Sequence, residues 1–172
     1  MFVGRRVLGI DPGLTRCGYA VIEAQSSPKA VSLGVLRTDP HEALPERLRR
    51  LHDDLLALLH EFRPHAVAIE QVFFQNNTRT AMGVAQVSGL ALAEAQRFGC
   101  DVVQFTPTQV KDSVAGWGGA DKAQVQTMVQ KRLGLNSPPR PADAADAAAL
   151  ALCYLAVAPT RERVRAALGV QP

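Results

Sequence analysis

Residues 7–23, VLGIDPGLTRCGYAVIE, decide the fold. VLGI reads as a buried strand and DPG turns the chain. GYAVIE at 18–23 then reads as a neighbouring strand, joined by a hairpin that contains Gly13 and Gly18. The carboxylate of Asp11 closes the first apolar run. A turn-forming role beside Pro12 is one reading of it; the other requires further acids to meet it in space.

Outward from this stretch, VSLGVL at 31–36 supplies a third strand, and AVAIE at 66–70 and DVVQF at 101–105 supply two more. Leu44 to Phe62 has helical periodicity, with Leu48, Leu51, Leu55, Leu58, Leu59 and Phe62 on one broad face. A second helix is predicted from about Asn77 to Phe98. Its many Ala, Gly and Ser residues suit either tight packing within one subunit or close contact with a second. TPTQVKDSV starts a short helix, with Thr106 as cap and Pro107 at the first helical position. GWGGADKAQ is a loop entering a helix near Asp121, and ADAADAAALALCYLAV is the last strong helix. The spacing predicts an α/β sandwich on a five-stranded mixed sheet flanked by helices: a meander of three strands, with the fourth and fifth returning beside the first. One domain is expected over 1–160, followed by a short, charged, fraying tail over 161–172.

The 172 residues are enough for a single sizeable core. A net charge of +3, from 19 Lys+Arg against 16 Asp+Glu, permits a nucleic-acid partner without indicating one. Cys17, Cys100 and Cys153 form no C-x-x-C pair and read as reduced, mostly buried thiols. Asp11 arrives before a secretory apolar region can form, and no run reaches 18 uncharged apolar residues. A soluble, cytoplasmic chain with no membrane partner is therefore expected. His41, His52, His60 and His65 form no ligand pattern, and GLTRCG matches no nucleotide-cofactor loop.

Glu70 repeats the situation of Asp11, because it too ends an apolar run. Adjacent strands ending on acids at one sheet edge would bring those acids within several Å of each other. Asp143 and Asp146 are three residues apart and share a helical face. Pro141 puts Asp143 near the first turn, where the helix field favours negative charge, so a purely local role is open for it. Asp146 precedes AAALALCYLA, where an unpaired buried charge is costly. Four gathered carboxylates repel one another and raise some of their pKa values. Two Mg²⁺ ions would balance their charge, suit hard oxygen ligands and serve a phosphodiester displacement.

Phe73 and Phe74 follow Glu70 directly, and either can stack on an unstacked base or pack beneath the sheet edge. Asn76, Asn77 and Arg79 come next, with Asn77 suited to phosphate contact or helix capping. Lys111 and Lys122 flank the glycine-rich loop, where each can bind the DNA backbone or stabilise charge in the transition state. Trp117 reads as an anchor for that loop or as a DNA contact, anchoring being favoured. Lys131, Arg132 and Arg140 offer an extended phosphate track.

With these blocks read, the sequence resembles the RuvC family of bacterial Holliday-junction resolvases over nearly its whole length. The stretches that carry the resemblance are GIDPGLTRCGYAVI, AIEQVFFQNNTRTA, TPTQVKDSVAGWGGADKAQVQ and PADAADAAALAL. It implies an RNase H-like fold, a homodimer and Mg²⁺-dependent nicking of four-way DNA junctions in recombination and repair. Two Mg²⁺ per site, with Mn²⁺ as an alternative ion, and delivery by branch-migration machinery are also implied. The same resemblance assigns catalysis and metal binding to Asp11, Glu70, Asp143 and Asp146, and catalysis and DNA contact to Lys122. DNA contacts are expected of Phe73, Phe74, Asn77, Arg79 and Lys111, with Phe73 stacking at the opened junction. Asn76 and Trp117 depart from the usual pattern. Rival readings are an actin-like ATP-binding protein, since a D-x-G turn also suits phosphate, a junction-binding protein without catalysis, and an RNase H-like enzyme acting on RNA.

Overall fold

The computed structural model describes residues 4–72 and 78–169. Five strands, β1 (Arg6–Asp11), β2 (Arg16–Glu23), β3 (Lys29–Arg37), β4 (Ala66–Glu70) and β5 (Asp101–Phe105), form one sheet in the order β3-β2-β1-β4-β5. β1, β2 and β3 pair antiparallel, while β4 and β5 run parallel to β1, as the sequence predicts. Asp11 and Gly18 are paired residues in the β1–β2 ladder, and the second strand of this hairpin begins at Arg16, two residues before the expected Gly18.

Side chains alternate across a strand, and the two faces of this sheet differ in size. Leu8, Ile10, Val21, Val67 and Ile69 point to one face. There they pack with Leu51, Leu55, Leu58 and Leu59 of α1 (Leu44–Phe62) and with Val87, Ala91 and Ala95 of α2 (Thr78–Arg97). The opposite face carries smaller residues, among them Ala20, Ala66 and Ala68, together with Gly9. Onto it packs the alanine-rich α5 (Ala142–Leu168), flanked by α3 (Pro107–Ala115) and α4 (Lys122–Arg132).

The glycines show how close α5 comes. A Cβ on Gly9 would lie 2.0 Å from the carbonyl oxygen of Ala147, and one on Gly18 would lie 2.1 Å from that of Asp143. Helix main chain therefore rests directly on strand main chain at these two points. By length and composition α5 could cross a membrane, but most of its apolar window is buried in the molecule, as befits a core helix.

Of the segment expected to fray, residues 161–168 continue the last helix. α5 runs through Pro159 to Leu168, and the boundary expected at 160/161 falls inside it. Asp101, buried at the start of β5, accepts hydrogen bonds from Tyr154 Oη (2.9 Å), Arg161 Nη2 (3.1 Å) and Arg165. Burial pushes the Asp101 carboxyl up, but these three donors outweigh it and leave the pKa below the usual carboxylate value. The charges that made the tail look solvated instead tie it to the far edge of the sheet.

Gly9→Ala should destabilise the protein by roughly 3 kcal/mol, the upper end of ordinary overpacking, because backbone must move to admit the methyl. Asp101→Ala should cost about as much, since it leaves two arginines without their buried partner. Chemical denaturation of each variant measures both losses.

Candidate functional site

Strand parity places the first two acids. Asp11 shares the face of Val7 and Gly9, and Glu70 shares the face of Ala66 and Ala68, so both lie on the α5 side. Ile10 is paired with Ile69 in the parallel β1–β4 ladder, which brings the following residues, Asp11 and Glu70, to the same edge. Asp143 stands in the first turn of α5 and Asp146 one turn later. Because that end of α5 is seated on Gly18 and Gly9, its two acids reach the same sheet edge.

Electrostatics registers the convergence. The Asp11 carboxyl is raised from 3.8 to about 7, first by burial and then by the charges of Glu70, Asp146 and Asp143, with Lys122 opposing. Glu70 is also raised, by burial and then by Asp146. Asp143 behaves differently: burial pushes it up, but the hydrogen bond and charge of Arg16 more than offset this, and it lies below its usual value. Arg16 Nε donates to Asp143 Oδ2 at 3.0 Å, and its Nη2 donates to the same oxygen. Lys122 Nζ donates to Asp146 Oδ2 at 2.7 Å, which holds the lysine in its charged form.

Two of the four acids are thus turned toward cations of the chain itself. Among the described residues, no three His, Cys, Asp or Glu side chains are grouped so as to hold a metal ion as they stand. The donor set nonetheless fits a hard divalent cation: four carboxylates, two of them with pKa values raised by burial and mutual repulsion. Arg16 and Lys122 each engage only Oδ2 of their partner, so Oδ1 of Asp143 and of Asp146 makes no bond to either cation.

Lys111 and Lys122, which flank the glycine-rich loop, lie near two of the acids. Both line a cavity of about 230 Å³ together with Glu70 and Asp146, closed on its apolar side by Pro107, Val110, Val125 and Leu150. Lys122 is the first residue of α4, whose start is fixed by a capping box between Asp121 and Gln124. Arg132 is used within the protein, where Nη2 donates to Ser113 O at 2.9 Å and joins α4 to α3. His52 bonds Glu94 between α1 and α2, and the His60 ring meets Phe98 edge-on, in keeping with scaffold roles. Cys17, Cys100 and Cys153 are free and buried.

Phe73, Phe74, Asn76 and Asn77 lie outside the described residues. Arg79 is in the first turn of α2, and its side chain is likewise not described. Trp117, read from sequence as a loop anchor or a DNA contact, is 55% exposed.

Two residues escaped the sequence reading. Arg16, the first residue of β2, faces Asp143 across 127 positions of sequence, so no local spacing announces the pair. Arg47, buried in α1, donates to Thr15 Oγ1 at 2.7 Å and Thr38 Oγ1 at 2.9 Å, bracing the loop that follows Asp11. An arginine in the first turn of an otherwise leucine-faced helix was its only signal.

The model of the family described as "Crossover junction endodeoxyribonuclease RuvC" matches residues 7–154. The chain belongs to the RuvC family. It is 52% identical to the crossover junction endodeoxyribonuclease RuvC of Salinispora arenicola over 164 residues, covering 94% of each chain. Among solved structures it is similar to Thermus thermophilus RuvC, at TM-score 0.85 and 38% identity, covering 91% of this chain and 96% of that one. It is equally similar to the T. thermophilus protein in complex with Holliday junction substrate, at TM-score 0.86, 38% identity and the same coverage. The five-stranded mixed sheet with its helices is therefore the RNase H-like fold of RuvC. RuvC proteins are nucleases that depend on divalent metal.

The Asp11 shift carries a sign that can be tested in chelator. A carboxyl whose folded pKa exceeds its unfolded value contributes stability that is complete below about pH 4 and lost as pH rises through about 7. Metal-free protein should lose stability across that window. Asp11→Asn should flatten the loss and exceed the parent by on the order of 2 kcal/mol at pH 8. Urea unfolding at pH 5, 6, 7 and 8 reads both effects.

Proposed function

We propose that this protein resolves four-way DNA junctions by paired symmetric nicks, as a homodimer using two Mg²⁺ per site. The observation that carries the reading is the meeting of Asp11, Glu70, Asp143 and Asp146 with Lys122 at the sheet edge shared by β1, β4 and α5. A RuvC relative of 38% identity was solved with a Holliday junction substrate, which supports the choice of DNA form.

In this reading the four carboxylates hold the ions, and Mn²⁺ is an acceptable substitute for Mg²⁺. The ions would activate a water and stabilise the leaving oxygen of the phosphodiester. Lys122 keeps its charge beside Asp146 and is available to the scissile phosphate once that carboxylate turns to an ion. Lys111, across the same cavity, binds the backbone of the cleaved strand. Phe73 stacks on a base at the opened junction, assisted by Phe74, while Asn77 and Arg79 hold neighbouring phosphates.

The dimer reading draws on α2. Val87, Ala91 and Ala95 are buried on one side of it. Met82 is 62% exposed on another, and a Cβ on Gly89 would meet nothing within 4 Å. That outward stripe of small and apolar residues suits a second copy of the helix, and a two-fold axis suits two nicks on opposite strands. Cytoplasmic location and delivery by branch-migration machinery complete the proposal.

A synthetic four-way junction, the matching duplex and an RNA hybrid, each incubated with protein and Mg²⁺, test it directly. Paired nicks are expected in the junction alone. Asp11→Asn and Glu70→Gln should each lower the rate by roughly 100-fold or more while junction binding persists, since ligand loss should exceed the 10–100-fold typical of outer-shell partners. Undiminished cleavage by both variants would remove the carboxylate site from the mechanism. Junction binding with no nicks by the parent protein would favour a non-catalytic binder.

A further inference from the structure

We propose that Trp117 is a stacking platform for an unpaired base of the junction, an inference that rests on the junction-nuclease reading above. Trp117 lies in the short loop between α3 and α4 and is 55% exposed, whereas Phe105 and Tyr154 are buried in the core. Trp has a large apolar face with a polar N–H and is enriched where proteins meet their partners.

The ring is nevertheless held. A Cβ on Gly119 would lie 2.2 Å from Cζ3 and 2.8 Å from Cε3 of Trp117, so the indole rests against Gly119 and only glycine leaves room for it there. Both ends of the loop are pinned. Gly116, at φ 89°, closes α3 with its N–H on Asp112 O, and the Asp121 capping box opens α4. The N–H of Ala120 returns to Trp117 O at 3.3 Å. A ring backed in this way loses little entropy when a second ring stacks on its open side.

Its position suits nucleic acid. α3 and α4, which the loop joins, carry Lys111 and Lys122, the cations that line the cavity shared with Glu70 and Asp146. A strand bound along those lysines would pass the loop. Bases inside a duplex are already stacked on both faces, whereas a base released where strands exchange has a free face to offer an indole. The platform would thus favour an opened junction over a duplex without reading base edges.

Trp117 is the chain's single tryptophan, so its emission reports this residue alone. In the Asp11→Asn background, which prevents cleavage, the protein is titrated with a labelled junction and with duplex of equal length. Tryptophan emission and label anisotropy are read together. Saturable quenching is expected that follows junction binding and is absent or much smaller with bound duplex. Trp117→Ala should weaken junction binding by about 5- to 100-fold, the range for loss of one base–aromatic stack, and Trp117→Phe should recover most of it. Circular dichroism confirms that the variants fold; if Trp117→Ala does not, the emission result and Trp117→Phe decide alone. Unchanged emission while anisotropy shows the junction bound would overturn the platform and leave the nuclease reading intact. Equal quenching by duplex would overturn it too. Absence of any junction binding by anisotropy would instead bring down the junction reading itself and the platform with it.

Discussion

Contact between the main chain of α5 and that of β1 and β2 is the constraint on which the rest of this molecule depends. Gly9 and Gly18 leave no side chain between strand and helix, and the facing carbonyls of Ala147 and Asp143 occupy the space where a Cβ would stand. The neighbouring positions on that face, Ala20, Ala66 and Ala68, are small as well, and the helix answers with Ala147, Ala148 and Ala151. The other face has the opposite character, with branched side chains packed under the leucines of α1. With two such unequal faces, the sheet receives α5 on the small-residue side, and the depth of seating brings the helix acids level with those of the strands.

That seating creates an electrostatic problem. Asp11 and Glu70 are partly removed from water by the same packing that gives them their place, and each also feels Asp146. The protein answers with cations drawn from distant sequence: Arg16 on Asp143 and Lys122 on Asp146. Such pairs are partly exposed and contribute modestly to stability. Their larger effect is to partition the cluster, leaving Asp143 held in its charged form by its own arginine while Asp11 is pushed toward neutrality near pH 7. A site divided in this way has a strong appetite for added positive charge on its strand side, where no basic side chain makes a direct bond to Asp11 among the described residues.

The surrounding elements serve this edge. Arg47 crosses from α1 to Thr15 and Thr38 and stiffens the turn after Asp11 from beneath. Two successive capping boxes, at Thr106 and Asp121, fix the starts of α3 and α4 and therefore the reach of Lys111 and Lys122. At the far edge of the sheet, Asp101 binds the last turns of α5 through Tyr154, Arg161 and Arg165. The helix is thus held at both ends, close to the strands at one and by charge at the other.

The sequence by itself determined the five strands, their order and every helix start within a residue or two. Period-2 and period-3.6 patterns, Pro107 after Thr106 and the acid at 121 are local signals, and local signals survive without a structure. It also singled out the four acids that the structure brings together, because a carboxylate that ends an apolar run or precedes an alanine helix is conspicuous where it stands. Only the tertiary structure decided what those groups touch. Arg16 meets Asp143 across 127 positions, Arg161 meets Asp101 across 60, and Arg47 meets Thr15 and Thr38 across 32 and 9, so no periodicity encodes them. The tail looked solvated because its charges are visible in sequence while their buried partner is not, and the exposure of Trp117 is likewise set by what packs around it. Exposure and pairing are properties of surfaces brought together by packing, and here that packing was set by two missing side chains on β1 and β2.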